Sequence, residues 1–234
     1  LFTKFYVQLI EGNIFIKLYF YKKIPVKLYT CKPYIILDTI KISRTPKIKE
    51  VGIQLPSSKS ESNRILIINA LAGGESKLSN LSEARDTQTM IRLLKSDPSI
   101  YDVLDAGTTM RFLTAYAAIT GKQKILTGTP RMCERPIGIL VDALRTIGAR
   151  VEYQQKEGYP PLEIKGFEKQ LSNKVTIRGD VSSQYISALL MVAPVLPDGL
   201  TLELTGKVGS RTYIEMTLEL MKQFGAQFTW KENI

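Results

Sequence analysis

The feature that most constrains the fold is a pattern that recurs from about Lys41 onward. Each instance has a short strand signal, a polar loop with a basic residue, and then an apolar helix, in most cases closed by glycine. The pattern occurs at residues 55–74, 105–121, 131–149, 179–196 and 209–226. Strands that alternate with helices are typical of α/β proteins. The sequence therefore predicts an α/β fold of α+β repeats, whose helices begin at polar, mostly cationic loops.

Two segments are alike in detail: "ALRTIGARVEY" at 143–153 and "LMKQFGAQFTW" at 220–230. In both, a helix passes through Gly-Ala into a strand, so Gly148 and Gly225 are predicted to end helices in the left-handed region. Two further strand signals, "YPPLEIKG" and "KVTIRGD", follow the first copy, but the second copy is followed closely by Ile234. We expect a loosely spaced α/β repeat, and a chain that ends partway through one copy.

Basic residues are distributed unevenly. The net charge is +10, but residues 1–50 hold 10 lysines and arginines against 3 acidic residues, and the remainder holds 22 against 19. A nucleic-acid-binding protein is expected to carry its basic surface on the folded domain, so no nucleic-acid partner is expected. Residues 1–40 alternate Tyr, Phe, Ile and Lys, which favours strands over a signal peptide.

Several classes of chemistry are excluded by residues that the chain lacks. There is no histidine, which excludes Ser-His and Cys-His nucleophiles and His-ligated metals. Cys31 and Cys133 lie far apart without metal-ligand spacing, which favours two free thiols in a reducing cytosol and a cytoplasmic protein. No apolar run approaches the roughly 18 residues of a membrane helix, so no membrane partner is expected. No metal or other cofactor is predicted, and phosphate or carbonyl chemistry would depend on Lys, Arg and carboxylates.

The stretch "LPSSKSESNR" at 55–64 places hydroxyls and cations at the start of a helix. Ser58 or Ser60 can cap that helix, Lys59 supplies a point charge, and Arg64 can direct two N–H groups at a phosphate or carboxylate. The glycines of a Walker loop are missing, so ATP is not implied. Locally, an ordinary Ser-capped helix with a solvated arginine explains the pattern equally well.

Four other helix starts carry similar polar groups. Taken singly, each is explained by a cap, a tight turn or a solvated charge cluster. Several helix N-termini that converge on one side would form a preorganised anion site. The groups are Gly107, Thr108 and Thr109; Arg131, Glu134 and Arg135; Ser182, Ser183 and Gln184; and Ser210, Arg211 and Tyr213.

These runs resemble the enolpyruvyl transferases, in the order found in that family. The resemblance covers about Ile53 to Ala226 and includes "LPSSKSESNR", "DAGTTMRFLTA", "LTGTPRMCERPIGILVDALRTIGA", "YPPLEIKG", "VSSQYISALLMVAPV" and "YIEMTLELMKQFG". It implies one domain of an inside-out α/β barrel built from βαβαββ units, with the second domain missing on the C-terminal side. Residues 41–234 would form this domain. Residues 1–40 are an extension without a recognised counterpart, with ordered and disordered states both left open.

The resemblance also implies a reaction and roles for residues. Members that act on shikimate 3-phosphate transfer the carboxyvinyl group of phosphoenolpyruvate to its 5-hydroxyl and release phosphate, on the pathway to chorismate. Lys59 would reach both substrates at the reacting centre. Shikimate 3-phosphate would also contact Ser60, Arg64, Ser182, Ser183, Gln184, Ser210 and Tyr213. Phosphoenolpyruvate would also contact Gly107, Arg131 and Gln184, together with Asp105 and Thr108.

Some positions depart from the family pattern. Asp105 stands where asparagine is common, and a carboxylate there should repel phosphate unless a cation or a helix cap engages it. Phe112 replaces a frequent proline, and Cys133 replaces a usual basic residue. The stretch from Asp86 to Asp105 is short, so a strand or hairpin of one repeat is expected to be missing.

Other interpretations stay open at this stage. UDP-N-acetylglucosamine enolpyruvyl transferase shares the fold and uses phosphoenolpyruvate, although its basic motif differs. The chain could equally be a non-catalytic fragment that binds phosphate esters, because the acid/base Asp and Glu implied by the resemblance belong to the second domain. We expect this chain alone to bind substrate without turnover. Family members are often monomeric.

Overall fold

The computed structural model describes residues 55–231 in full and, of the preceding residues, the backbone of three strands. The chain divides into two compact units, Leu1–Gln54 and Leu55–Ile234. In the first unit, β1 (Phe5–Ile10) pairs antiparallel with β2 (Asn13–Leu18), and β2 pairs with β3 (Ile42–Ser43). The rest of the predicted extension, residues 1–40, lies outside the described residues.

The second unit alternates helices and strands as the recurring pattern predicts. Its elements are α1 (Lys59–Leu71), α2 (Arg85–Ser96), β4 (Ile100–Asp102), α3 (Gly107–Ile119), β5 (Lys124–Thr127), α4 (Pro130–Cys133), α5 (Gly138–Ile147), β6 (Ala149–Tyr153), β7 (Leu162–Phe167), β8 (Lys174–Arg178), α6 (Ser183–Val192), a 3₁₀ turn (Ala193–Val195), β9 (Thr201–Thr205) and α7 (Arg211–Gln223).

Two sheets of this unit show the repeat. One has the order β4-β5-β7-β6, in which β4 and β5 are parallel and the other pairs are antiparallel. Together with α3, α4 and α5, these strands form a βαβαββ unit. The other sheet pairs β8 with β9 in parallel, and its chain order β8-α6-β9-α7 repeats the first part of that unit. The predicted α/β fold of βαβαββ units is confirmed.

Helix α3 is at the centre of the core. It packs against α1, α2, α5 and α6 and against the sheet, and all its residues except Thr108 are buried. Small residues such as Ala115, Ala117 and Ala118 allow neighbouring elements to approach closely. Because α3 is surrounded by packed elements, its first turn is held in a fixed position relative to the starts of α1 and α6.

The predicted helix ends at glycine are confirmed. Gly148 follows α5 with a φ of +120°, and Gly225 follows α7 with a φ of +84°. Side chains with a Cβ resist this left-handed region, whereas glycine adopts it readily. The third segment, 131–149, differs from the pattern, since the chain forms the short helix α4 before α5 and places Pro136 between them.

The short connection after α2 is fixed by one carboxylate. Asp97 ends α2 in the left-handed region, with a φ of +40°. Its carboxylate accepts bonds from Lys122 Nζ at 2.7 Å and from the Tyr101 hydroxyl, and it lies 3.1 Å from Lys124 Nζ. The chain thus passes directly from α2 into β4, in the stretch where a strand or hairpin is expected to be missing.

Replacing Asp97 with asparagine is expected to lower the free energy of unfolding by about 1 kcal/mol at neutral pH, because the pairs are partly solvent-screened. Burial tends to raise the pKa of Asp97, but the bonds from Lys122, Tyr101 and Lys124 together hold this pKa well below its usual range. A lowered pKa stabilises the fold above the ordinary pKa of about 3.9, and this stabilisation is lost as the pH falls below it.

Urea unfolding of both proteins from pH 7 to pH 3 measures this effect. We expect the difference between wild type and Asp97→Asn to shrink as the solution becomes acidic. Asp142→Asn is the control, because Asp142 is exposed and meets Arg145 at 3.9 Å. A difference that stays constant with pH would show that Asp97 stabilises the turn through its shape alone.

Candidate functional site

The predicted site residues lie at the starts of helices. Lys59, Gly107 and Ser183 are the first residues of α1, α3 and α6, and Ser210 directly precedes α7. α6 packs against α1, α3 and α7. Free N–H groups and the positive end of the helix dipole are found at such starts, so this part of the unit favours anions.

Lys59 is half exposed, with 49% of its side chain accessible, and forms an ion pair with Asp86 at 3.2 Å. Asp86 lies in the first turn of α2. The N-cap of α1 is Ser58, whose hydroxyl accepts a bond from the Glu61 N–H at 3.3 Å. Ser60 is therefore not needed as a cap, and its hydroxyl is left for another partner.

Arg64 is buried rather than solvated, with only 2% of the residue exposed. Its Nε donates to Thr217 Oγ1 at 2.6 Å, one Nη donates to Ser187 Oγ at 3.0 Å, and the other donates to the Ser60 carbonyl at 3.0 Å. Burial is the main cause that lowers its pKa to about 10. Arg64 thus joins α1 to α6 and α7.

The aromatic rings of Phe112 and Tyr213 both lie close to the guanidinium of this arginine. The Arg64 guanidinium carbon is 5.4 Å from the centroid of the Phe112 ring and 5.5 Å from that of Tyr213. Tyr213 is 44% exposed. A cation held against aromatic rings is stabilised electrostatically, so Tyr213 connects the buried arginine with the surface at the start of α7.

The start of α6 is linked to the start of α3. Gln184 Nε2 donates to Thr108 Oγ1 at 3.2 Å. Ser182 caps α6 by accepting a bond from the Gln184 N–H at 3.4 Å, and Ser183 is buried in the first turn. The predicted residues thus form two groups joined through α6, one around Arg64 and one around Thr108.

Asp105 has a cation partner, which is one of the two options that the sequence left open for phosphate to bind nearby. Its carboxylate forms an ion pair with Arg85, at the start of α2. The bond from Arg85 is the largest cause that lowers the pKa of Asp105, and the charge of Arg131 adds to it. Asp105 is therefore a neutralised carboxylate rather than a free negative charge.

A sequence model of the family described as EPSP synthase (3-phosphoshikimate 1-carboxyvinyltransferase) matches residues 45–97 and 96–233. The chain belongs to the EPSP synthase family. The two matched segments overlap at residues 96–97, where α2 ends and the short connection to β4 begins.

Curated relatives carry the same name. The chain is 57% identical over 188 residues to the 3-phosphoshikimate 1-carboxyvinyltransferase of Bacteroides fragilis (strain YCH46), covering 80% of this chain and 46% of the relative. It is 42% identical over 199 residues to that of Paraburkholderia phytofirmans, covering 74% of this chain and 46% of the relative. The chain therefore spans about half the length of the curated relatives that it matches.

A solved structure agrees with the fold. EPSP synthase from Acinetobacter baumannii superposes with a TM-score of 0.60 and 18% identity, over 70% of this chain and 42% of that one. At this identity the likeness concerns the fold. It supports the assignment of residues 55–231 to one α/β domain of the EPSP synthase architecture.

Several residues around the site were not assigned a role from the sequence. Arg111 is only 4% exposed and donates to the Gly107 carbonyl at 3.0 Å and to the Pro136 carbonyl at 2.9 Å. Tyr185 donates to the same Pro136 carbonyl at 2.6 Å. An arginine inside the otherwise apolar run "MRFLTAYAAI" is the signal that could have identified Arg111, because buried arginines need several acceptors.

Glu134 does not pair with its neighbouring arginines. Across residues 55–231, no ion pair joins Glu134 to Arg131 or Arg135. Within the same residues, no group of three or more Cys, Asp or Glu side chains is arranged to hold a metal ion. None of the described helices combines the length and the apolar character needed to cross a membrane.

Proposed function

We propose that this chain forms the substrate-binding half of a 3-phosphoshikimate 1-carboxyvinyltransferase. The reaction transfers the carboxyvinyl group of phosphoenolpyruvate to the 5-hydroxyl of shikimate 3-phosphate and releases phosphate. The observation that carries the proposal is the family match over residues 45–233, combined with the packing of α1, α3, α6 and α7 that brings polar helix starts to one region.

Shikimate 3-phosphate is proposed to bind at the starts of α1, α6 and α7. Hydroxyl groups, an amide and one half-exposed ammonium group suit a phosphate ester of a polyol, because they donate hydrogen bonds to its oxygens. The residues are Lys59, Ser60, Ser182, Ser183, Gln184, Ser210 and Tyr213.

Arg64 needs a more specific proposal. Three of its five N–H groups donate to the protein, so its first contribution is to hold the starts of α1, α6 and α7 together. A direct bond to shikimate 3-phosphate, as the family resemblance implies, would use the remaining N–H groups beside Tyr213. Arg64 is therefore proposed as a positioning residue that also completes the phosphate site.

Phosphoenolpyruvate is proposed to bind beside the start of α3. Gly107 and Thr108 offer backbone N–H groups there, Gln184 is already bonded to Thr108, and Arg131 supplies a cation. Asp105 is compatible with this anion because Arg85 neutralises it. Lys59 would act between the two substrates, and breaking its pair with Asp86 would free its charge for them.

Turnover is proposed to require the rest of the family's length. The reaction needs a proton donor for the methylene carbon and a base for the hydroxyl, in addition to cations for two phosphates and a carboxylate. The cations are found here, whereas the family resemblance places the acid/base Asp and Glu in the other domain. We also propose a cytoplasmic location, consistent with the free thiol of Cys133, and a monomeric state, as the family resemblance implies.

Calorimetric titration of this chain with shikimate 3-phosphate tests the proposal. We expect binding that requires the phosphate, so that shikimate binds at least about tenfold more weakly, because a charge-assisted hydrogen bond contributes about 1.5–3 kcal/mol. Phosphoenolpyruvate, added next, should bind without release of inorganic phosphate. Equal binding of shikimate and its phosphate would exclude the proposed site.

UDP-N-acetylglucosamine serves as the specificity control in the same titration. The relatives described above are named 3-phosphoshikimate 1-carboxyvinyltransferase, so the alternative enolpyruvyl transferase has no support from them. We expect no heat of binding from this nucleotide sugar. Binding of it in place of shikimate 3-phosphate would reverse the choice between the two substrates.

A further inference from the structure

Arg135 lies directly against Gly107, the first residue of α3. A Cβ atom built on Gly107 would be 2.8 Å from both Cζ and Nη2 of Arg135, closer than real Cβ atoms come to other heavy atoms. Gly107 is not among the glycines of positive φ, so its backbone conformation is open to other residues. The Arg135 guanidinium occupies the space that a side chain at position 107 would take, so a residue with a Cβ there would displace the end of the Arg135 side chain.

The Arg135 guanidinium has no counterion in the described part of the chain. It is exposed, and within residues 55–231 no hydrogen bond from its side chain and no ion pair is found. Arg111 also contacts Gly107, since it donates to the Gly107 carbonyl at 3.0 Å. Burial is the main cause that lowers the pKa of Arg111. Tyr185 opposes this change, and the charge of Arg135 lowers the pKa further.

Like charges held together favour the binding of an anion. Arg111 and Arg135 both lie beside Gly107 at the start of α3, and Arg131 is close enough to influence Asp105. The carboxylate of Asp105 already pairs with Arg85. A site with this surplus of positive charge binds phosphate or carboxylate groups, and a planar guanidinium binds them through two parallel hydrogen bonds.

We propose that Arg135 is a further binding residue for the phosphate of phosphoenolpyruvate, and that Gly107 is glycine in order to seat its guanidinium. The inference rests on the proposed function, since it adds a residue to the phosphoenolpyruvate side of the same site. Its ligand chemistry, a dianionic phosphate, can also be tested without the complete substrate.

Titrations of the full chain with inorganic phosphate and with phosphoenolpyruvate test the proposal in four proteins: wild type, Arg135→Ala, Gly107→Ala and the double variant. We expect Arg135→Ala to weaken binding of both ligands about tenfold, as for the loss of one charge-assisted hydrogen bond. Gly107→Ala should have a comparable effect by displacing Arg135. The double variant should then bind no more weakly than Arg135→Ala alone.

Arg150→Ala is the matched control, because Arg150 is an exposed arginine on β6 that pairs with Glu168 at 2.9 Å. It should leave binding unchanged, and thermal melting checks that each variant is folded. Unchanged phosphate binding in Arg135→Ala, or none in the wild type, would overturn the proposal. An additional loss from Gly107→Ala in the double variant would overturn the seating role of Gly107.

Titration with shikimate 3-phosphate separates this inference from the proposed function. Binding of shikimate 3-phosphate that is equal in wild type and Arg135→Ala, with weakened phosphate binding in the variant, supports both proposals. If the wild type binds phosphate through Arg135 but does not bind shikimate 3-phosphate, the proposed function fails and the role of Arg135 as an anion-binding residue stands.

Discussion

Replacing Arg64 with alanine is expected to lower the free energy of unfolding by about 3 kcal/mol or more, because it removes a buried side chain that donates three hydrogen bonds to the protein. The substitution removes the three hydrogen bonds that Arg64 donates to the Ser187 and Thr217 hydroxyls and to the Ser60 carbonyl. It also opens a void beside the Phe112 ring, and cavities in a packed core add to the cost.

Arg92→Ala is the matched control for this substitution. Arg92 is also a helical arginine that donates to one backbone carbonyl, that of Asp102 at 3.0 Å, but its side chain is exposed. We expect its removal to change stability by no more than about 0.5 kcal/mol. Urea unfolding followed by circular dichroism compares the two variants with the wild type.

Equal stability of the two variants would show that Arg64 is dispensable for the fold. In that case, any loss of shikimate 3-phosphate binding in Arg64→Ala would report a direct contact with the ligand. The sequence alone favours this second outcome, since an amphipathic helix keeps its apolar face when one arginine is removed. The buried hydrogen bonds of Arg64 are the reason for expecting the first.

The elements of the fold were predictable from the sequence because their signals are local. Caps, apolar periodicity and terminal glycines are short-range features, and they correctly indicated helices that begin near Lys59, Gly107, Ser183 and Arg211. There are two exceptions: residues 226–230 do not form the strand predicted after Gly225, and Pro130–Cys133, in the predicted loop, form the short helix α4. Short-range patterns do not decide whether such a loop winds into a single helical turn.

The environments of the arginines could not be predicted in the same way. The partners of Arg64 are Ser187 and Thr217, which follow it by 123 and 153 residues. Arg111 depends on the Pro136 carbonyl, 25 residues away. A single sequence shows these arginines only as charges near helix starts, where solvated side chains are the usual outcome. Burial of this kind is determined by how whole helices pack.

The assignment of site residues lies between these two cases. The sequence placed Thr108 and Gln184 in one site through a family resemblance, and the structure joins their side chains at 3.2 Å. It also indicated that a cation or a helix cap should engage Asp105, without identifying either, and Arg85 provides the cation from another helix. Residue chemistry thus predicts what a partner must be, and packing decides which residue provides it.

The second large effect on stability is expected at Gly148, one of the two glycines that end helices in the α/β repeat. Replacing Gly148 with alanine is expected to lower the free energy of unfolding by about 3 kcal/mol, the sum of left-handed strain and overpacking. Gly148 has a φ of +120°, and its new Cβ would meet the Lys169 carbonyl oxygen and approach the Leu171 backbone nitrogen at 3.2 Å. The Leu171 N–H also donates to the Ile147 carbonyl at 2.7 Å, so this backbone cannot move away freely.

Gly225→Ala is the control that the repeat itself provides. Gly225 occupies the equivalent position with a φ of +84°, but no described residue comes within 4 Å of its added Cβ, so the strain alone should cost about 1 kcal/mol. Urea unfolding of both variants therefore separates the two contributions, because the torsional cost is shared and the crowding is not. Equal losses would mean that the segment around Lys169 yields to the new methyl group, and that backbone conformation alone requires glycine at both copies.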